Sequence, residues 1–205
     1  PKYRKLASTL QKDIRLHFGS MKDLEGDAKT LLYSLGDKEL LLADSIEAQA
    51  NGYGHYQDEK FTFRPQNLAK IPIRLRGVIS IAERLAGTIE GNDLIRIHIE
   101  SKKVSYIKVE NFDLSPLPRM LARTIVKFRQ NEIMNFDHCK DGRVKAVYLK
   151  SRWMSHTDPN YKVQSEFDDL ILNSLDLDFS GEGPKFDQFA KALMDHKIAL
   201  PEYKK

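Results

Sequence analysis

The sequence predicts an α+β fold, with helices at both ends around a small, mostly antiparallel sheet built from two hairpins. Three observations point to it. Apolar residues recur every three or four positions over about residues 1–90 and again after about residue 158. Between those stretches Ile95, Ile97 and Ile99 alternate with Leu94, Arg96, His98 and Glu100, which is strand spacing. Further on, Lys140-Asp141-Gly142 separates two apolar runs with a dipeptide favoured in tight hairpin turns.

The elements follow in order. Leu6, Leu10, Ile14 and Phe18 form a stripe that Gly19 stops. A second stripe, Leu24, Ala28, Leu31 and Leu35, ends at Gly36, where a helix C-cap favours glycine. Asp37 is placed to cap a third helix that runs to Asn51-Gly52. A loop-like stretch follows, with a short strand at 61–63. After Pro72 the stripe Leu75, Val78, Ile79, Ala82 and Leu85 predicts a helix ending at Gly87. Residues 94–99 and 104–109 then form the first hairpin. A helix is expected after Pro118, with Leu121, Ile125 and Phe128 on its buried face, and a second hairpin pairs 133–136 with 144–149. Helices around Phe167–Leu175 and Phe186–Leu193 complete the chain. One domain is expected: a helical part over about 1–90, a hairpin-helix-hairpin core over about 92–152 and an acidic helical tail over about 158–205.

A chain of 205 residues buries enough surface to fold without disulfides or metals. With 41% hydrophobic and 30% charged residues it has globular rather than disordered composition. The lone cysteine, Cys139, has no internal partner, which fits a reducing compartment and a cytoplasmic location. No run of 18 apolar residues suggests a membrane-spanning helix, and no apolar segment follows the basic N-terminus as in a signal peptide. A start at Pro1 fits either a removed initiator Met or a piece of a longer protein.

Charge is unevenly spread. Arg64 to Arg152 holds 18 Lys and Arg against 9 Asp and Glu, whereas Asp158 to Asp187 holds 8 acidic and 2 basic residues. A basic middle beside an acidic tail implies an anionic partner, nucleic acid above all, with a tail able to mask the basic face. The bland alternative is a solvated surface with uneven patches.

Enzymatic signatures are incomplete. The close glycine pairs Gly52/Gly54 and Gly181/Gly183 do not join a buried strand to a helix, so neither reads as a methyltransferase cofactor turn, and no Walker-type loop is present. Asp93, Glu100 and Lys102 are the candidate catalytic residues. Two carboxylates and a lysine beside a hairpin are the equipment of Mg²⁺-dependent nucleases; no cofactor is expected except Mg²⁺ under that alternative. His138, Cys139 and His156 match no zinc spacing, and neighbours on a strand point apart, so no metal site is expected.

Nucleic-acid binding draws on more residues. Arg119, Arg123 and Lys127 recur every four positions and share one face of the expected helix. The hairpins add Lys103, Lys108, Lys145 and Arg152, with Arg143 and Lys140 near the turn. Such a set can neutralise several phosphates. Tyr106, Tyr148 and Trp153 lie among these charges and are candidates for stacking on bases, core packing being the commoner fate of a strand aromatic.

The series Asn92-Asp93-Leu94-Ile95-Arg96-Ile97-His98, Lys103-Val104-Ser105-Tyr106-Ile107, Asn111-Phe112-Asp113 and Pro118 to Arg123 resembles the C-terminal region of the DNA phosphorothioation-associated methyltransferase family. The likeness runs back through Gln11-Lys12-Asp13-Ile14, Phe18-Gly19-Ser20 and Leu31-Leu32-Tyr33 and forward through the second hairpin, covering most of the chain. It implies a bacterial protein linked to the replacement of a DNA phosphate oxygen by sulfur, a modification tied to restriction and phage defence. In that family a methyltransferase-like domain precedes the resembled region. The glycine-rich cofactor signature is missing here, so the resemblance implies no methyltransferase site in these residues. Ile99-Glu100-Ser101 also stands where a more basic segment is expected. The resulting expectation is an accessory DNA-interaction domain of a modification or phage-defence system. The alternatives are a Mg²⁺-dependent nuclease, or a scaffold for a methyltransferase or phosphorothioation protein.

Overall fold

The computed structural model describes residues 3–140 and 144–204, so Asp141 and Gly142 of the expected turn, and Arg143, lie outside the described residues. Among the described residues, six α-helices and a six-stranded antiparallel sheet make an α+β fold with helices at both ends. The N-terminal helices form where local signals place them. Helix α1 (Ser8–Phe18) ends at Gly19, whose φ of 76° is the left-handed conformation that lets the chain leave. Ser20 caps α2 (Met21–Ser34) by accepting from the Asp23 amide at 3.2 Å, and Asp37 caps α3 (Lys38–Ala50) by accepting from Glu39 at 2.9 Å and Leu40 at 3.1 Å. Helix α4 (Ile73–Ala86) follows Pro72 and stops at Gly87, φ 76°.

The sheet is a meander in the order β1-β2-β3-β4-β5-β6. Its strands are β1 (His55–Gln57), β2 (Lys60–Phe63), β3 (Leu94–His98), β4 (Lys103–Val109), β5 (Met120–Lys127) and β6 (Glu132–Asp137). Helix α4 bridges β2 and β3. The β1–β2 turn is unusual in placing two non-glycine residues, Asp58 (φ 50°) and Glu59 (φ 58°), in left-handed conformations that a tight hairpin normally assigns to Asn-Gly. Both are tied down: Glu59 pairs with Lys38 of α3 at 2.8 Å, and Asp58 accepts the Gly181 amide at 3.0 Å.

Two expectations are corrected. The helix predicted after Pro118 is strand β5, aligned along β4 from Lys103↔Lys127 to Val109↔Met120 with a bulge at Lys108/Val109. Leu121 and Ile125 are four apart, an even spacing that also puts them on one face of a strand, so the pattern had two readings. Thr124, Ile125 and Val126 are β-branched, and β4 offered an open edge of unpaired backbone groups, which together decide for strand. The second hairpin is also differently paired. Strand β6 returns onto β5 through a turn at Phe128–Asn131 with Asn131 at φ 48°, and 144–149 touches the sheet as one bridge, Ala146 to Arg119. Strand β1 is additional to the expectation.

The sheet's two faces are buried differently. On one side Phe61, Phe63, Ile95, Ile97, Val104, Tyr106 and Val126 pack beneath Leu75, Val78, Ile79 and Ala82 of α4 and Leu41 and Ala48 of α3. Each fully buried Phe or Ile contributes about 1.5–3 kcal/mol relative to exposure. On the other side only the upper half is apolar: Leu94, Ile107 and Val109 meet Phe112, Val147 and Met154. The C-terminal helices α5 (Tyr161–Ser174) and α6 (Phe186–Asp195) build a further core with Tyr148, Phe167, Ile171 and Phe189. No helix among the described residues is long and apolar enough to cross a membrane.

Candidate nucleic-acid interface

The lower half of that second face is polar and basic, and strand register puts it there. Antiparallel partners point to the same side, so the row Lys60↔His98↔Lys103↔Lys127 runs side by side across four strands. The next row holds Thr62, Arg96 and Ser105, and the one after it places Arg123 beside Ile107. Lys103 stands directly opposite Lys127, a like-charge pairing that costs a sheet stability rather than supplying it. Lys127 is offset by Glu132 at 2.9 Å, but among the described residues Lys60, Arg96 and Lys103 have no carboxylate partner.

His98 lies inside this group. Its Nε2 shares a 3.0 Å hydrogen bond with Ser105 Oγ, which also accepts from Arg123 Nη2 at 3.2 Å. Burial, then the positive charge of Lys103, Arg96, Arg123 and Lys60, pushes its pKa down to about 3, so the ring is neutral near pH 7. Arg96 donates through Nε to Thr62 Oγ1 at 3.0 Å. Burial and the neighbouring Arg123 push its pKa down to about 10, with the charge of Glu182 opposing the shift, as expected of a desolvated cation without a bonded carboxylate.

Above this surface the chain folds back to form a cleft. Its walls are the β1–β2 hairpin with His55, Gln57 and Lys60, the 145–153 segment with Lys145, Arg152 and Trp153, and the 179–183 loop. Arg152 hydrogen-bonds Gln57 across the opening. Burial, then the charge of Arg152, pushes the His55 pKa down to about 4. Glu182 bridges two of the cations, accepting from Arg123 at 2.5 Å and from Lys145 at 2.8 Å. Desolvation raises its pKa, but the Lys145 hydrogen bond and the two positive charges outweigh that and hold it at about 2.

Five of the seven predicted phosphate contacts, Lys103, Arg123, Lys127, Lys145 and Arg152, collect on this face or in the cleft above it. Lys108 alternates to the α4 side of the sheet and is exposed, and Arg119 lies outside β5, paired with Glu110 at 2.8 Å. The predicted helical stripe is therefore dissolved, although Arg123 and Lys127 still share a face because four is an even step. Lys60, His55, Arg96 and His98 were not among the predicted contacts. The one local signal was the Arg96–His98 alternation on β3; Lys60 and His55 come from distant strands.

Asp93, Glu100 and Lys102 do not come together. Asp93 sits before β3 and accepts the Val109 amide at 2.9 Å, whereas Glu100 and Lys102 lie beyond its far end, roughly 20 Å away at strand rise. Glu100 pairs with Lys38, and Lys102 donates to the Gly36 carbonyl at 2.9 Å, joining the hairpin tip to the N-terminal helices. Among the described residues no three His, Cys, Asp or Glu side chains are grouped to hold a metal ion. Of the aromatics, Tyr106 belongs to the core beneath α4 and Tyr148 to the core of α5 and α6; Trp153 lines the cleft, with its Nε1 buried and without a hydrogen-bond partner among the described residues.

Comparison with family models, with curated proteins and with solved structures finds no match to this chain.

Proposed function

We propose that the chain is a DNA-interaction domain that holds the phosphate backbone over the polar half of its sheet. The observation that supports this is the register row in which Lys60, Lys103 and Lys127 flank the neutral His98, with Arg96 in the next row: four cations gathered on a partly desolvated surface, three of them (Lys60, Lys103 and Arg96) without a carboxylate partner among the described residues. A fold gains nothing from such an arrangement, but a polyanion does. On the sequence resemblance, we assign this activity to a bacterial phosphorothioation-linked modification or phage-defence system, without a methyltransferase site in this chain. The test is binding to a labelled duplex with and without phosphorothioate across a salt series. Binding that weakens steeply with salt is expected; no binding at low salt would reduce the basic face to solvated surface.

A second reading, a protein–protein scaffold, is favoured by α1 and α2. Leu16 and Tyr33 are 77% and 81% exposed, and Leu10 and Leu32 are more than half exposed beside them. Apolar exposure of this kind is common at docking surfaces. Co-purification of a partner that survives nuclease treatment and is lost with Leu16→Ser/Tyr33→Ser would support it.

A further inference from the structure

Glu182 occupies a place in the cleft that suits a different anion better. Its carboxylate meets two cations, Arg123 and Lys145, while a third, Arg96, stands close enough to feel its charge without bonding it. Arg96 spends only Nε, on Thr62, and no acceptor among the described residues takes its two terminal amines. Arg123 likewise keeps a buried Nε without an acceptor. Three cations thus converge on one monoanion with two acceptor oxygens, leaving charge and donors over. A phosphate monoester or inorganic phosphate offers more oxygens and up to two negative charges, and the planar guanidinium fork matches the geometry of monoester and diester alike.

The Glu182 side chain can swing aside without moving its loop. Gly181 (φ 61°) and Gly183 (φ 75°) flank it in left-handed conformations, and the side chain is 46% exposed. On its N-terminal side the loop is held to the rest of the protein by the Gly181 amide on Asp58. On the other side Tyr148 donates to the Pro184 carbonyl at 3.0 Å and packs its ring against the Gly183 Cα, so the hinges are fixed and the carboxylate between them is the movable part.

We propose that Arg96, Arg123 and Lys145 form a phosphate subsite, that Glu182 fills it in the absence of ligand, and that a phosphate group binds there by displacing the Glu182 carboxylate. This deepens the DNA reading and rests on it: the acidic loop competes with the polyanion for the cations of the cleft, the largely buried Arg96 and Arg123 among them. The phosphate is either a terminal monoester, which supplies the additional oxygen and charge, or an internal phosphodiester, which carries a single charge on its two non-bridging oxygens and meets the same guanidinium fork.

Calorimetric titration with inorganic phosphate, alongside anisotropy titration with a duplex bearing or lacking 5′-phosphates, tests it. Glu182→Ala is expected to tighten inorganic phosphate about tenfold, the size of one charge-assisted contact no longer competed for. Glu182→Gln should give a smaller gain of the same sign, and adding Arg96→Lys, which keeps the charge but gives up the fork, should cancel it. Thermal unfolding of each variant checks that the fold is retained. Phosphate affinity that is unchanged or weaker in both Glu182 variants would overturn the subsite. If wild type binds duplex but the Glu182 variants do not tighten phosphate, the subsite alone falls. If phosphate tightens while no variant binds duplex, the subsite stands for small phosphates and the DNA reading falls. A tighter duplex only when 5′-phosphates are present assigns the site to strand ends; equal tightening assigns it to the backbone.

Discussion

Replacing Lys60 and Lys103 together by alanine separates the demands of the fold from those of the interface. Both are partly exposed, both lie in the central register row, and neither has a carboxylate partner among the described residues. If each neutralises one phosphate, the slope of log K against log salt should flatten by about 1.8, because each contact contributes about 0.9. Extrapolated from molar salt to about 0.1 M, that is a loss of roughly 60-fold in affinity. Stability should move the other way. Lys103 faces Lys127 across the strands, and Lys60 lies beside a His98 already surrounded by cations, so the double variant should unfold at equal or higher denaturant, by about 0.5 kcal/mol. Anisotropy of a labelled duplex from about 50 to about 300 mM salt gives the slope, and urea unfolding gives the stability. The control is Lys108→Ala with Arg119→Ala, which removes the same charge from outside the face and should leave the slope nearly unchanged. An equal flattening in the control, or none in the test variant, would refute the assignment of this face.

Further outcomes are expected. His98 has a folded pKa near 3 against about 6.5 unfolded, so the unfolded state takes up its proton first and stability falls as pH drops below about 6.5, by up to about 1.4 kcal/mol per unit; urea midpoints at pH 7 and 5 should differ less in His98→Asn than in wild type. Lys150 is fully buried, donates to the Ser115 carbonyl at 2.9 Å and the Tyr203 hydroxyl at 3.1 Å, and has its pKa pushed down by burial to about 8. The unfolded chain therefore holds that proton more tightly, stability should rise between about pH 8 and 9.5, and Lys150→Met should flatten that rise in the same urea series. Gly54→Ala would place a Cβ 2.6 Å from the Phe61 ring and 2.7 Å from the Thr62 carbonyl, so it should cost about 1–3 kcal/mol by thermal unfolding and loosen β1, one wall of the cleft.

The locally signalled parts of the molecule were readable in the sequence. Gly19, Asp37, Pro72 and Gly87 mark helix ends because caps and breakers act through bonds and φ angles within a few residues, and α1, α3 and α4 end where those residues put them. The β3–β4 hairpin was legible for the same reason, its partners being only a few residues apart. Leu121 and Ile125 allowed a helix or a strand, and the open edge of β4 decided between them; no window of residues 118–128 contains that edge. The candidate site divides the same way. Basic residues were visible in the sequence as a charge excess, but whether Lys60 neighbours Lys103, or Arg123 meets Glu182, is set by strand register and by the return of the tail over the sheet. Composition and short-range periodicity determined that this chain would be helical at its ends, stranded in its middle and basic at its centre. Only tertiary structure decided which of those charges share a face and which acid sits among them, because that depends on contacts between residues as far apart as Asp58 and Gly181.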